Sequence, residues 1–527
     1  MHLSEIAAPA PDKPAVVTAD GGRVLTYGEL DRRSRQVSRL LASLGVQTGD
    51  HVALLLTNEP EYFEVAWGAQ RRGTYWTPVN WHLTADEARY IVRDCGARVL
   101  FASPETAAVA ALVAAEDPGL AVFVTGSSPL GSYEAAIAAQ STEPIDNEVD
   151  GAVAFYSSGT TGRPKGIKPK HEFPPFGSPA TLPMLMSAVF GFGPDSMYLC
   201  PAPLYHAAPN NFSLGTHRLG GTVVLMDRFD PAGCLRAIEA HRVSHVQFVP
   251  THFVRMLRLP DAQRLAFDVS SLRTVVHAAA PCPADVKRQM IEWLGPCLVE
   301  YYAGSEANGI TIIDSTDWLA HPGSVGRSLG TAVHIVGDDG AERPAGEDGL
   351  IYFESQPFEY LGDPAKTASA LDDRGWSTLG DIGHVDAEGY LYLSDRRTDL
   401  IISGGVNIYP AEIEEALISH PAVDDVAVIG VPDPEMGQQV LAIVQLTEQE
   451  AASADLAAEL IEHCRARLAS FKCPRSVEFV VELPRLPTGK LLRRQLRAER
   501  SGQARSAVAS AAAASNASQS AKPGVPR

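Results

Sequence analysis

Residues 156–166 gather the groups that can bind a polyphosphate: they read Tyr-Ser-Ser-Gly-Thr-Thr-Gly-Arg-Pro-Lys-Gly and follow the apolar run 152–155. Glycines let backbone N–H groups converge on an anion, hydroxyls donate hydrogen bonds, and lysine supplies a positive charge. The order Gly-Arg-Pro-Lys-Gly differs from a Walker A motif, which points away from P-loop NTPases. A flexible surface loop is the alternative. We expect a phosphate site formed by Ser157, Ser158, Gly159, Thr160, Thr161, Gly162 and Lys165.

Four further segments carry polar residues suited to chemistry, at 301–306 (Tyr-Tyr-Ala-Gly-Ser-Glu), 377–383, 394–412 and 487–490 (Pro-Thr-Gly-Lys). Taken singly, Glu306 and Asp381 could be solvated carboxylates, and Gly404-Gly405 could be an ordinary turn. Lys490 lies in the basic stretch 472–500, which has eight Lys/Arg against three Glu. Such a basic stretch either forms a solvated surface or attracts phosphate groups.

In the first half of the chain, residue patterns typical of helices alternate with patterns typical of strands. We expect these helices and strands to position the polar segments. Two capping boxes, Thr26 to Glu29 and Thr84 to Glu87, predict helix starts, because each pairs a threonine with a glutamate three residues later. Apolar runs at 51–56 and 98–101 predict buried strands. This repetition predicts an α/β fold with a large N-terminal domain of helix-covered, mostly parallel sheets.

The second half predicts a smaller unit. We expect a large domain at 1–394, a hinge at 395–398 and a small, mobile α+β domain at 399–500, with a helix beginning at Pro410 and another from 455 to 470. Residues 501–527 are rich in Ala and Ser and have few large apolar groups, so we expect a disordered tail.

Composition excludes several classes of protein. The net charge of −19 argues against nucleic-acid binding, which needs a basic surface. Seven scattered cysteines without a C-x-x-C pair indicate reduced thiols. We find no signal peptide, and the longest apolar stretch, 180–193, is too short to cross a bilayer and contains a proline. We therefore expect a cytoplasmic protein; an oligomer is compatible with the sequence, which does not specify one.

Taken together and in this order, the five segments resemble the adenylate-forming superfamily of acyl-CoA synthetases, peptide-synthetase adenylation domains and firefly luciferase. The resemblance runs from about residue 21 to residue 500. It implies a two-step reaction, in which a carboxylate attacks the α-phosphate of ATP, releasing pyrophosphate, and a thiol then displaces AMP from the acyl-adenylate. The substrates implied are a small carboxylic acid, ATP and CoA, with Mg²⁺ screening the phosphates.

The resemblance assigns ATP- and AMP-binding roles to the loop at 157–165 and to Ala280, Tyr302, Asp381 and Arg396. Tyr302 would stack on adenine, while Asp381 and Arg396 would contact the ribose. The catalytic set is Lys490, Glu306 and Ser305, with Glu306 also the metal ligand and Lys490 bridging the carboxylate and the α-phosphate. The chain departs from the usual Tyr-Gly-x-Thr-Glu by reading Tyr-Ala-Gly-Ser-Glu.

In the same way, Ser403, Gly404 and Gly405 resemble the segment that the pantetheine arm of CoA passes, where small residues leave room. Thr398 occupies the hinge position, which is usually Asp or Lys. His206 and Ala279 match positions that line the acyl pocket. Cys282 is expected to be a small apolar residue, not a nucleophile.

The leading hypothesis is an acid–CoA ligase, with segments 80–84 and 205–209 most like ligases for fatty or other bulky aliphatic acids. Aryl acids remain open. One alternative is a ligase that loads the acyl group onto a free-standing carrier protein. Another is a non-catalytic paralogue that binds a nucleotide without turnover.

Overall fold

A computed structural model describes residues 2–126, 128–157, 164–279, 282, 284–304, 306–337, 339–354, 359–360, 367–368, 370–396, 401–408, 410–447, 451–484, 493, 496–497 and 499–500. The chain divides into two compact units, Met1–Ser157 with Pro164–Arg397, and the residues from Thr398 on. The exact bounds of the domains, the hinge and the tail stay predictions.

The first unit is built from alternating strands and helices. Its strands are β1 (Pro14–Thr18), β2 (Val24–Thr26), β3 (His51–Leu55), β4 (Tyr75–Pro78), β5 (Ala97–Ala102), β6 (Ala121–Val124), β7 (Gly131–Ser132), β8 (Ala152–Val153), β9 (Phe155–Ser157), β10 (Lys165–Lys168), β11 (Met197–Cys200), β12 (Thr222–Leu225), β13 (His245–Phe248), β14 (Thr274–His277), β15 (Leu298–Ala303), β16 (Ile310–Asp314), β17 (Ser324–Ser328), β18 (Val333–Val336), β19 (Gly349–Phe353), β20 (Glu359–Tyr360), β21 (Ser377–Val385) and β22 (Leu391–Arg396).

The helices of this unit lie mostly between successive strands. They are α1 (Leu3–Ala7), α2 (Tyr27–Ser43), α3 (Pro60–Arg71), α4 (Ala85–Asp94), a 3₁₀ turn (Pro104–Thr106), α5 (Ala107–Ala115), α6 (Tyr133–Ala138), α7 (Thr181–Phe190), α8 (Ala207–Arg218), α9 (Pro231–Ala240), α10 (Pro250–Leu257), α11 (Asp261–Arg264), α12 (Ala284–Leu294) and α13 (Ser315–Ala320).

The sheets of the first unit contain two parallel runs. One sheet has the order β7-β6-β5-β3-β4-β8, with every pair parallel; the largest has the order β18-β19-β21-β22-β17-β16-β15-β14-β13-β11-β12-β1-β2. In the largest sheet, the run from β15 to β1 is parallel and the rest is antiparallel. The predicted α/β class is confirmed, and the antiparallel run from β15 to β18 is an addition to it.

The antiparallel run curls on itself. Phe353 on β19 and Leu391 on β22 share a core with Val325 on β17, and Tyr302 on β15 packs against this core. The ring centroids of Tyr302 and Phe353 lie 6.2 Å apart, although four strands separate β15 from β19 in the sheet order. A twisted sheet closes in this way when one face buries a shared apolar core.

Both predicted capping boxes are confirmed. The Thr26 side chain accepts a hydrogen bond from the Glu29 backbone N–H, and the Glu29 carboxylate accepts one from the Thr26 N–H at 2.9 Å. Thr84 and Glu87 pair in the same way at the start of α4. Helix α2 then ends shortly before Gly45, whose φ of +75° is the left-handed conformation that glycine adopts without strain.

The second unit is an α+β layer. Its elements are β23 (Ile401–Ser403), β24 (Val406–Ile408), α14 (Pro410–Ile418), β25 (Val423–Asp433), β26 (Gly437–Leu446), α15 (Ala454–Arg465) and β27 (Ser476–Val480). Helix α14 begins at Pro410 as predicted. The helix predicted to end at 470 ends at Arg465, and beyond it the buried Lys472 ammonium lies 2.8 Å from the Glu412 carboxylate on α14.

A buried histidine links elements of the two large sheets. His217 on α8 is fully buried; its Nδ1 accepts a hydrogen bond from Trp67 Nε1 at 3.1 Å, and its Nε2 donates to the Ala15 carbonyl at 3.0 Å. One nitrogen must accept and the other must donate, so the neutral ring fits this arrangement. Burial lowers the pKa of His217 to about 4.

The cysteines are separate thiols, and burial raises the pKa of six of them. It reaches about 11 for Cys95 and Cys297 and about 12 for Cys200, Cys282 and Cys464, and it is raised for Cys234 as well. Because the thiolate is the nucleophile, these side chains are unreactive at neutral pH. Among the residues described, no helix has both the length and the apolar composition needed to cross a bilayer.

The neutral state of His217 predicts a pH-dependent stability. The pKa of this histidine is near 6.5 in the unfolded chain and about 4 in the folded one, so the unfolded state binds the extra proton between these values. Folding stability should therefore fall as pH decreases from 6.5 to 4. Removing the ring with His217→Gln should lower this slope by one proton, about 1.4 kcal/mol per pH unit. Urea unfolding across this range measures the slope, and an unchanged slope would show that the folded protein carries a protonated His217.

Candidate nucleotide and acyl site

The centre of the candidate nucleotide site is a hydrogen bond across the curled sheet. Tyr302, near the end of β15, donates its hydroxyl proton to Asp381 Oδ2 on β21 at 2.6 Å. The Asp381 residue is only 2% exposed, whereas Tyr302 is half-buried. The structure thus brings together two residues that lie 79 positions apart in sequence and for which nucleotide binding was predicted.

The third predicted nucleotide contact lies beside Asp381. In the antiparallel pair of β21 and β22, Arg396 is the register partner of Asp381, and the register shifts directly afterwards, between Ile382 and Gly383. Bulges of this kind re-aim side chains at functional sites. The backbone therefore places the two predicted ribose contacts side by side, while the Arg396 side chain lies outside the described residues.

Glu306 lies in the connection between β15 and β16. Its side chain is half-buried, and a Cβ atom at Gly304 would come within 2.8 Å of Glu306 Oε2 and within 2.7 Å of the Leu379 side chain. A side chain at position 304 would therefore displace the ends of the Glu306 and Leu379 side chains, and Leu379 is on β21, two residues before Asp381. Sequence reasoning noted the variant motif but did not single out Gly304.

Asn308, two residues further on, was also missed. It is fully buried, and neither its Oδ1 nor its Nδ2 has a hydrogen-bond partner among the residues that the structure describes. Unpaired buried amides are rare, because each costs about 1–3 kcal/mol. Within the described ranges, His, Cys, Asp and Glu side chains form no group of three or more that could hold a metal ion. Glu306 and Asn308 nevertheless place a carboxylate and an amide in the short connection between β15 and β16.

The phosphate loop is described at its two ends. Ser157 ends β9 and Lys165 begins β10, and the two residues are register partners, so residues 158–163 connect an antiparallel pair. The hydroxyl of Tyr156 donates to Asp94 Oδ2 at 2.6 Å, which attaches β9 to α4. A hairpin frames the loop, where sequence reasoning expected only a preceding strand.

The candidate acyl pocket is marked by a ring cluster made of Trp81, His82, Tyr205 and His206. Ring centroids lie 4.4 Å apart for Tyr205 and His206 and 5.9 Å apart for Trp81 and Tyr205. His206 is the residue before α8. Burial, with the neighbouring His82 as a second cause, lowers the pKa of His206 to about 4, although the residue keeps some accessible surface. His206 is thus largely surrounded by protein but still partly accessible, as expected for a residue in the wall of a recess.

Ala279, the other predicted pocket residue, follows the end of β14. It is exposed and has a φ of +76°, which is unusual for a residue with a Cβ atom. Strained backbone of this kind is concentrated at functional sites. Ala279 and His206 each keep their predicted role as a prediction. The remaining predicted site residues lie outside the described residues: Ser158, Gly159, Thr160, Thr161, Gly162, Ala280, Ser305, Thr398 and Lys490.

In the second unit, Gly404 and Gly405 form the two-residue turn of the β23–β24 hairpin, with Ser403 opposite Val406. Their φ values of +59° and +79° fit a type I′ turn, which favours glycine at both positions. A Cβ atom at Gly404 would lie 2.4 Å from Met436 Cε. The hairpin therefore explains both glycines structurally, and the passage of CoA beside them stays a prediction.

Comparison with protein families decides the class. The model of a family described as AMP-binding enzyme matches residues 3–357, and that of its C-terminal domain matches residues 412–490. The chain belongs to the AMP-binding enzyme family. The second match begins at Glu412 and ends at Lys490, so it contains most of the second unit and the predicted catalytic lysine.

Characterised relatives of this AMP-binding enzyme include ligases of different acids. A feruloyl-CoA synthase from Amycolatopsis sp is 37% identical over 491 residues, covering 92% of this chain and 95% of the relative. The long-chain-fatty-acid–CoA ligase FadD13 of Mycobacterium tuberculosis is 34% identical over 502 residues, covering 94% and 97%. The predicted superfamily and the predicted enzyme class, an AMP-forming acid–thiol ligase, are confirmed.

Solved structures of similar fold include that of the amide bond synthetase McbA from Marinactinospora thermotolerans. The TM-score is 0.83 at 28% identity, and the match covers 94% of this chain and 99% of McbA. The large sheet unit and the small α+β unit of this AMP-binding enzyme are therefore found in known enzymes of related fold.

The hydrogen bond between Tyr302 and Asp381 predicts a graded loss of nucleotide affinity. Asp381→Asn replaces one carboxylate acceptor by an amide donor and should weaken ATP binding at least about tenfold, because hydrogen bonds to charged groups contribute about 1.5–3 kcal/mol. Tyr302→Phe keeps the ring and should weaken binding less. Tyr392→Phe is the matched control, since it removes a hydroxyl that donates to Asp386 at 3.3 Å in the same sheet. Calorimetric titration with ATP measures all three, and Asp381→Asn binding as tightly as the control would contradict the assignment.

Proposed function

We propose that this AMP-binding enzyme is an ATP-dependent carboxylic acid–CoA ligase. An oxygen of the acid would attack the α-phosphate of ATP, pyrophosphate would leave, and the CoA thiol would then displace AMP from the acyl-adenylate. The Tyr302–Asp381 hydrogen bond carries the proposal, because it gathers the predicted adenine and ribose contacts at one edge of the curled sheet. The family match over most of the chain supports the same reaction class.

The nucleotide would be held by groups with separate tasks. Asp381 would accept hydrogen bonds from the ribose hydroxyls and Arg396 would contact the same sugar, while Tyr302 would lie against adenine. The loop from Ser157 to Lys165 would bind the β- and γ-phosphates. Lys490 would place the attacking carboxylate at the α-phosphate, where its charge stabilises the bond that forms.

The residues present fit a magnesium ion. Mg²⁺ in nucleotide sites is held by one or two protein carboxylates together with substrate phosphates, and Glu306 supplies one such carboxylate beside the unpaired Asn308 amide. Glu306 would therefore hold the ion, and Ser305 would lie near the α-phosphate. When bound, Mg²⁺ offsets the negative charge of the phosphates.

We propose that the acid is bulky and enters beside the ring cluster of Trp81, His82, Tyr205 and His206. The resemblance of segments 80–84 and 205–209 supports a fatty or other bulky aliphatic acid. A flat aromatic acid is the second candidate, because a ring substrate can pack edge-to-face against Tyr205 and Trp81, whose own centroids lie 5.9 Å apart. A neutral His206 suits either apolar acyl group.

CoA is the acceptor that we propose, with pantetheine passing Ser403, Gly404 and Gly405 and with residues 395–398, including Thr398, acting as the hinge. A free-standing carrier protein is the alternative acceptor. An amine is a further one, since McbA, of similar fold, is an amide bond synthetase.

An acid panel tests the reaction and its substrate. Acid-dependent exchange of pyrophosphate into ATP should appear with at least one of long-chain, medium-chain and hydroxycinnamic acids. Adding CoA should then give the thioester. Exchange without a CoA thioester, but with acylation of a phosphopantetheinylated carrier or an amine, would replace CoA as the acceptor. The lack of exchange with every acid would contradict adenylation itself.

The two half-reactions should separate by mutation. Lys490→Ala should slow adenylation about 100-fold, as loss of a charge-stabilising group does, and spare thioester formation from a supplied acyl-adenylate. Gly405→Asn should do the reverse, because asparagine tolerates a positive φ but adds a side chain to the CoA passage. Gly437→Asn is the matched control: its φ is +77°, and its new Cβ would lie 3.9 Å from the Ile402 carbonyl. Equal slowing of both half-reactions by Lys490→Ala would contradict this division of labour.

A further inference from the structure

A buried ion pair lies below the nucleotide site and takes no part in the reaction described above. Lys287 Nζ on α12 lies 2.5 Å from Glu300 Oε2 on β15, and the side chains are 0% and 7% exposed. His277 Nε2 lies 3.8 Å from the same carboxylate oxygen, and within the described part of the chain neither ring nitrogen of this fully buried histidine has a hydrogen-bond partner. The Lys287 ammonium also lies 4.8 Å from the centroid of the Trp318 ring.

Burial of the Lys287–Glu300 ion pair carries a desolvation cost in free energy. Burial lowers the pKa of Lys287 and raises that of Glu300, and in each case the partner opposes the effect of burial. Buried ion pairs of this kind often add no net stability, because desolvation offsets the attraction, but removing one partner leaves an uncompensated charge. What such a pair does fix is the distance between the elements that carry it.

Those elements converge on the candidate site. Glu300 precedes Tyr302 by two residues on β15, so both side chains leave the strand on the same face. His277, the last residue of β14, is the register partner of Glu300, and Lys287 lies in the first turn of α12. The ion pair therefore ties α12 to the strand of Tyr302, and the pairing of β14 with β15 holds the start of the connection at Ala278 and Ala279 beside the same strand.

We infer that the Lys287–Glu300 pair positions Tyr302 for binding of the nucleotide. The inference rests on the proposed function, because Tyr302 is the adenine contact there. Lys287 and Glu300 are positioning residues, since both are buried and neither is a proposed nucleotide contact. Their effect passes through β15 and α12.

The experiment compares single and double variants of the full chain. Glu300→Gln leaves Lys287 buried without a counter-charge and should weaken ATP binding about tenfold, as small misplacements of binding groups do. Asp150→Asn is the matched control, because it breaks an ion pair with Arg218 of 2.7 Å whose side chains are 8% and 6% exposed, outside the proposed site. This control should lose a similar amount of stability in urea and keep wild-type ATP affinity.

The double variant Lys287→Met/Glu300→Leu separates positioning from stability. Apolar replacement of a buried pair commonly restores stability. Positioning predicts that the urea midpoint returns toward the wild-type value while ATP binding stays at least about fivefold weaker. If affinity and stability recover together, or if Glu300→Gln binds ATP like the wild type, the inference is overturned.

Titration with ATP requires neither an acid nor CoA, so the two proposals fail differently. A wild-type protein that binds ATP but exchanges no pyrophosphate with any acid would overturn the proposed function and leave the affinity comparison intact. A protein active in exchange, with Glu300→Gln at wild-type affinity and KM for ATP, would overturn only the positioning role.

Discussion

The proposed nucleotide site depends on the curl of an antiparallel sheet. Tyr302 and Asp381 are on strands that β16, β17 and β22 separate, and their 2.6 Å hydrogen bond is possible because the run folds over a shared apolar core. A flat sheet would hold these side chains more than 15 Å apart, at about 4.8 Å per strand. Core packing by residues such as Phe353 therefore determines where the polar groups meet.

The same sheet has a parallel half and an antiparallel half, and the antiparallel half is the one that curls. β15 belongs to both halves, since it pairs in parallel with β14 and antiparallel with β16. It carries Glu300 toward the buried lysine and Tyr302 toward Asp381. This strand thus contacts helix α12 through Glu300 and the curled antiparallel run through Tyr302, and the neutral His217 joins α3 and β1 by hydrogen bonds to Trp67 and Ala15.

Local signals were predictable because their causes are local. The capping box at Thr26 needs only four residues, and the helix start at Pro410 needs one. The end of α15 at Arg465 was missed, because neither glycine nor asparagine follows it to mark a helix C-terminus. The close packing around Gly304 involves the Leu379 side chain on β21, which the local motif does not show. The order of the motifs was enough to identify the family. Contacts between residues far apart in sequence were visible only in the structure.

The raised pKa values of the buried thiols have a chemical consequence for a protein that would make a mixed anhydride. An acyl-adenylate acylates thiolates readily, and the enzyme's own cysteines could compete with the acceptor. Burial keeps Cys282, only a few residues beyond Ala279, with a pKa of about 12, and Cys200 likewise. Both remain protonated and inert at neutral pH. Desolvation thus protects the protein from self-acylation, so that an incoming thiol meets the activated acid without rivals among these side chains.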